Sequence, residues 1–128
     1  MSSAPKPRPK YYELNLAHHW APAVLSIFHR VSGFLLFFPL LPALLYVMQT
    51  GLGSESEFER WRGFFALPLV KLLFLGATWL YAHHFWAGLR YLMLHLHDGT
   101  AKESARASAR AVFVLGIVTT LLVGWRIW

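Results

Sequence analysis

The chain has 128 residues, of which 56% are hydrophobic, 16% aromatic and only 14% charged, too little polar surface to coat a water-soluble globule of that size. The formal charge of +6 does not signal nucleic acid, because the basic residues stand at the ends of apolar segments and form no stripe on a soluble face. The absence of cysteine excludes a disulfide framework, a cysteine-ligated iron–sulfur cluster and covalently attached c-type haem within this chain, so a metal must be held by histidine or carboxylate.

What remains is an all-α integral membrane protein: a single membrane domain over residues 21–128, preceded by an arm over residues 1–20. The arm opens with Pro5, Lys6, Pro7, Arg8, Pro9 and Lys10. It has no apolar core of the kind a cleaved signal peptide needs, which predicts an extended segment lying on a partner or on the membrane face. Tyr11, Tyr12 and Trp20 suit the membrane interface. His18 and His19 read as headgroup or solvent histidines.

Pro22 suits the first turn of a helix, where its missing N–H goes unneeded, so the first span is placed at 21–50. At about 1.5 Å per residue that length exceeds the roughly 30 Å of hydrocarbon, and the excess must tilt or protrude. Pro39 and Pro42 each remove a backbone hydrogen bond and predict a bend. Residues 51–63 read as a loop carrying Glu55, Glu57, Glu59, Arg60 and Arg62. The second span is placed at 64–94, with Pro68 near its start and Lys71 able to snorkel; only His83, His84 and Arg90 interrupt it. Residues 95–110 read as a second loop with a turn at Asp98-Gly99. The third span, 111–128, is anchored by Arg126 and two tryptophans.

Orientation follows from lysine and arginine. The arm carries Lys6, Arg8 and Lys10 and the second loop Lys102, Arg106 and Arg110, whereas the two arginines of the first loop are outweighed by three glutamates. The positive-inside rule then places the amino terminus and the second loop in the cytoplasm.

Two constellations carry chemistry. Ser26, His29, Arg30 and Gly33 share one helical face, which offers a hydroxyl, an imidazole, a guanidinium and a patch without a side chain near the cytoplasmic boundary. An apolar ring bearing carbonyl oxygens can enter from lipid, accept a hydrogen bond from Ser26 and have developing negative charge stabilised by Arg30. A capping serine and a snorkelling arginine account for the same residues. The second constellation is His83-His84, within hydrocarbon, where an unpaired imidazole is costly. Haem iron accepts a neutral imidazole and buries an apolar macrocycle, and Ala87 and Gly88 leave a flat helix surface for a porphyrin; an interhelical hydrogen bond is the other outlet. No second axial ligand is obvious. His29 is expected to lie nearer the cytoplasmic surface than His84 by about 5 Å or more, so a second ligand is expected from another polypeptide.

The octet Ser26-Ile27-Phe28-His29-Arg30-Val31-Ser32-Gly33, the upstream Arg8-Pro9 and the later His84-x-x-x-Gly88-Leu89-Arg90 resemble the signatures of the cytochrome b membrane-anchor subunit of bacterial succinate dehydrogenase, the larger of the two anchors of respiratory complex II. The resemblance covers nearly the whole chain. It implies three transmembrane helices within a heteromeric helix bundle in the bacterial cytoplasmic (inner) membrane. It also implies a ubiquinone site lined by Ser26 and Arg30 with His29 beside it, and haem b with His84 as axial ligand and His29 and Arg30 near its propionates. The other axial ligand would belong to a second, smaller anchor subunit. An iron–sulfur subunit and a flavoprotein subunit would dock on the cytoplasmic side. Some members carry tyrosine where this chain has His83, and some carry histidine where it has Tyr91.

On that resemblance, succinate is oxidised at a flavin on another subunit, electrons pass through iron–sulfur clusters, and ubiquinone is reduced at the site that this chain helps to form. The chain binds no succinate and is not expected to be catalytic alone. A cofactor-free membrane anchor or assembly subunit is one alternative, and the anchor of a quinol:fumarate reductase is another.

Overall fold

The computed structural model describes residues 16–96 and 102–128, with side chains from 21–96 and 104–128. Most of the arm, the side chains of His18 and His19, and the turn expected at Asp98-Gly99 therefore lie outside the described residues. Among those described, all regular structure is helical: α1 (Leu16–Leu35), a π-helical turn (Leu36–Leu40), α2 (Leu41–Gly51), α3 (Glu55–Ala66), α4 (Pro68–Leu96) and α5 (Lys102–Ile127).

Helix α1, the π turn and α2 follow one another without a break. Pro39 sits inside the π turn, which the Leu41 N–H closes onto the Leu36 carbonyl. A proline ring clashes with the carbonyl four residues back and offers no N–H to it, and one wider turn absorbs both defects. Pro42 is the second residue of α2, directly after the π turn. The bend expected at these two prolines thus takes the form of a π insert in a continuous helix.

The first loop is much shorter than expected, because residues 55–66 are helical. Ser54 caps this helix by accepting from the Glu57 N–H at 3.2 Å. Glu55 and Glu57 stand in its first turn, where the helix dipole favours negative charge. Arg60 pairs with Glu57 and Arg62 with Glu59, each three residues apart. The charges that suggested a loop are instead the solvated side of an amphipathic helix. Leu67, held extended by the proline that follows, ends α3, and Pro68 opens α4 at an angle of 83°. Helix α4 therefore starts at Pro68, not near Phe64, and α5 starts at Lys102, inside the stretch that read as the second loop.

Ala21–Gly51 and Ser104–Ile127 are long and apolar enough to cross a membrane, and α3 with α4 pass the same test as a bent pair. Helix α4 is central. It packs antiparallel to α5, as Arg90 meets Ser108 near one end and Lys71 lies over the Trp128 ring at the other. Arg90 is buried among these helices and also donates to the Ala105 carbonyl at 3.0 Å. Two indole N–H groups are paired in the same way: Trp86 donates to Thr119 and Trp61 to Thr50. Each threonine in turn bonds the carbonyl four residues earlier on its own helix. An apolar medium demands such pairing.

The buried core is small: Ala21, Leu25, Ala87, Ala109 and Val112, with Trp86, Tyr91 and Phe113 against it. Helices approach closely where small residues meet, as expected in a membrane. Most of the large apolar side chains of α2, α4 and α5, including Leu45, Leu72, Leu73, Leu121 and Leu122, face outward. Water would not tolerate so continuous an apolar surface; lipid and neighbouring helices do.

Candidate functional site

The α1–α4 contact is built from one motif used twice. His29 and Gly33 lie four apart on α1, and His84 and Gly88 four apart on α4, so each pair shares a face. Because the helices run antiparallel, each histidine meets the other helix's glycine. A Cβ at Gly33 would fall 2.8 Å from His84 Cε1, and one at Gly88 would fall 3.7 Å from His29 Nε2. Only glycine at position 33 leaves room for the opposing ring. The two imidazoles stack with centroids 4.3 Å apart and planes 11° from parallel.

The rings stack because Gly33 leaves room for the opposing imidazole. This corrects two expectations. The bare patch at Gly33 does not lie open for an incoming ring, since His84 fills it. Nor are Ala87 and Gly88 an open surface: Ala87 is fully buried in the core and Gly88 faces His29.

His84 is held by its inner nitrogen. Nδ1 lies 3.0 Å from the His29 carbonyl oxygen and 3.2 Å from Ser32 Oγ. A carbonyl only accepts, so Nδ1 carries the proton, which leaves Nε2 with a lone pair. Ser32 is almost wholly buried and its hydroxyl donates to the same carbonyl at 3.0 Å. The half-buried His84 ring is thus fixed as the tautomer that can ligate through Nε2.

His83 behaves differently. Its ring is completely buried where α1, α4 and α5 converge, stacked on Trp79 at 5.2 Å and flanked by Phe113 at 5.1 Å and Phe28 at 5.9 Å. The Leu25 carbonyl faces the ring, yet neither nitrogen reaches a partner at bonding geometry. An aromatic box of this kind leaves no edge for a large ligand.

The remaining candidates lie on the shoulder of α1. Ser26 is half-buried and Arg30 exposed, and among the described residues no acceptor pairs with the Arg30 guanidinium. His29 turns toward α4, where Tyr91 lies 5.2 Å from its ring. Arg90, by contrast, is committed to Ser108 and Ala105 on α5. The structure therefore brings His29 and His84 together across 55 residues of sequence, and sets Ser26 and Arg30 at the rim of that contact. Sequence reasoning missed Ser32 as a partner of His84. The signal that finds it is the repeated His-x-x-x-Gly spacing, which fixes the register that brings Ser32 to the ring.

Among the described residues no group of three or more histidine, aspartate or glutamate side chains can enclose a metal ion. A macrocycle-bound iron needs only axial ligands from the protein, and one is what His84 can offer. His95 bonds the Tyr91 carbonyl at the end of α4, His83 is enclosed, and a face-to-face stack prevents His29 and His84 from reaching one iron from opposite sides.

The family model described as succinate dehydrogenase/fumarate reductase transmembrane subunit matches residues 4–123. The chain is 31% identical over 125 residues to the succinate dehydrogenase cytochrome b556 subunit of Coxiella burnetii (strain RSA 493 / Nine Mile phase I), an alignment that covers 94% of this chain and 97% of the relative.

The enclosure of His83 makes a prediction about stability. Replacing an unsatisfied buried imidazole with an apolar ring removes a desolvation cost of about 1–3 kcal/mol, and the larger phenyl ring adds overpacking of similar size. His83→Phe is therefore expected to leave the thermal midpoint of the detergent-solubilised protein within a few degrees of wild type. A large fall would mean that the ring has a polar partner in the native assembly.

Proposed function

Since the chain belongs to the succinate dehydrogenase/fumarate reductase transmembrane subunit family, and serves there as a cytochrome b membrane anchor, we propose that it crosses the membrane three times. Helices α1–α2, α4 and α5 make the crossings, and α3 lies along the interface. On this reading the amino terminus is cytoplasmic and the membrane is the bacterial inner membrane, supported by the lysines and arginines of the arm and of the 95–110 region. The flavoprotein and iron–sulfur subunits dock on that cytoplasmic side, and the chain supplies no succinate-binding residue.

The observation that carries the proposal is the hydrogen bond between His84 Nδ1 and the His29 carbonyl. A ligating histidine characteristically donates its other ring N–H to a carbonyl or carboxylate, which fixes ring orientation and raises ligand basicity. His84 meets that requirement; His83 does not. His84 would hold haem b through Nε2, and a further ligand would come from a second, smaller anchor subunit, since among the described residues His95 is bonded to the Tyr91 carbonyl, His83 is enclosed and His29 is stacked on His84 itself. When bound, the haem supplies a one-electron carrier beside the quinone. His29 and Arg30, next to that face of α1, offer an imidazole and a guanidinium to the propionates.

Ubiquinone is the substrate at the shoulder of α1. The Ser26 hydroxyl donates to a quinone carbonyl, and the unpaired Arg30 guanidinium stabilises the negative charge that develops on the oxygen as electrons arrive. In low-dielectric surroundings this charge is worth more than in water. The direction of turnover depends on the quinone and on haem potential, so an anchor of a quinol:fumarate reductase uses the same residues.

Two substitutions test the two sites separately. Arg30→Ala is expected to lower quinone reduction by about 10²–10³-fold, the cost of losing one charge-stabilising donor, while succinate oxidation with an artificial acceptor stays near wild type. Equal loss of both activities would contradict a quinone role. His84→Leu is expected to abolish or shift the reduced-minus-oxidised b-type spectrum of the purified complex. An unchanged spectrum would remove His84 from the iron, and a colourless wild-type complex would reduce the chain to a cofactor-free anchor.

A further inference from the structure

Ser32 belongs to the same octet as Ser26, His29 and Arg30, yet neither the quinone site nor the haem contacts use it. Its relative exposure is 1%, and it lies on the α4 side of α1, away from the shoulder that carries Ser26 and Arg30. A serine so buried in a membrane helix normally returns its hydroxyl to its own backbone, and Ser32 does, donating to the His29 carbonyl at 3.0 Å. That leaves the lone pairs of Oγ pointing outward from the helix, and the group they meet is His84 Nδ1 at 3.2 Å. The proton on Nδ1 is therefore shared between two oxygens, the His29 carbonyl at 3.0 Å and the Ser32 hydroxyl.

We infer that Ser32 is a positioning residue for the His84 ligand: its hydroxyl, with the His29 carbonyl, fixes the rotation and tautomer in which His84 presents Nε2. The inference rests on the haem reading above. One acceptor fixes a hydrogen bond but leaves the imidazole free to swing about it. A second acceptor beside the first, on the same rigid helix, restricts that swing. The stack on His29 and the wall at Gly33 constrain the ring plane from either side. Losing an outer-shell partner of a ligating histidine typically costs 10–100-fold in affinity for the metal group. The lower end applies here, because the His29 carbonyl remains when the hydroxyl is removed.

The test uses the intact membrane complex and reads haem directly. Ser32→Ala is expected to release haem to excess apomyoglobin about tenfold faster than wild type and to shift the low-spin ferric EPR signal, which reports ligand orientation. Ser32→Thr, which keeps a hydroxyl able to bond the carbonyl three residues back, is expected to return both readouts toward wild type. Release and EPR unchanged in Ser32→Ala would overturn the inference, and so would equal defects in the alanine and threonine variants, which would assign the effect to packing. Haem retained by His84→Leu would instead overturn the ligand assignment on which the inference rests, a result separate from any behaviour of the Ser32 variants.

Discussion

An imidazole inside a membrane helix must find a hydrogen-bond partner or a metal, since burying such a polar group unpaired costs roughly 2–7 kcal/mol depending on the medium. His84 meets this demand by reaching across to α1 and bonding a backbone carbonyl. The helices can come that close because Gly33 stands opposite the His84 ring, where a Cβ would fall 2.8 Å from Cε1. The register of α1 against α4 follows from that pairing. Once it is set, His29 stacks on His84, Phe28 reaches His83, and the shoulder with Ser26 and Arg30 lies at the edge of the contact.

The same demand organises the rest of α4. Arg90 satisfies its guanidinium on α5, and Trp86 satisfies its N–H on Thr119. His83 is the exception, enclosed by aromatic rings with both nitrogens unpaired. Adjacent histidines thus take opposite parts: one is turned to the seam with α1 and keeps a lone pair for a ligand, the other is sealed in the three-helix core. The outward apolar faces suit lipid and neighbouring helices.

Much of this was legible in the sequence. The long apolar runs and the isolated polar residues of the second span appear in the structure as helices, whereas Pro22, read as a first-turn residue, lies inside α1, which already begins at Leu16. Helix α3 was hidden by its glutamates and arginines, which read as a loop until their three-residue pairing and the Ser54 cap are seen on a helix. The second loop was overestimated because Lys102, Arg106 and Arg110 are charged yet helical. Gly33 and Gly88 were noticed as smooth patches, but a smooth patch serves a ligand and a neighbouring helix equally well, and only the register decides. A shared helical face suggested a carbonyl-bearing ring at Ser26 and Arg30, and the cost of an unpaired imidazole suggested haem at His83-His84, each beside a structural alternative; the choice of ubiquinone and of His84 came from resemblance to a family.

The most direct test of the glycine-seated histidine is a single methyl group. Gly33→Ala and Gly76→Ala both gain helix propensity, by about 1 kcal/mol. A Cβ at Gly76 meets nothing within 4 Å, whereas one at Gly33 lands 2.8 Å from His84 Cε1. The reduced-minus-oxidised haem spectrum of the purified complex is predicted to be lost or shifted in Gly33→Ala and unchanged in Gly76→Ala; identical, wild-type spectra from both variants would contradict the account.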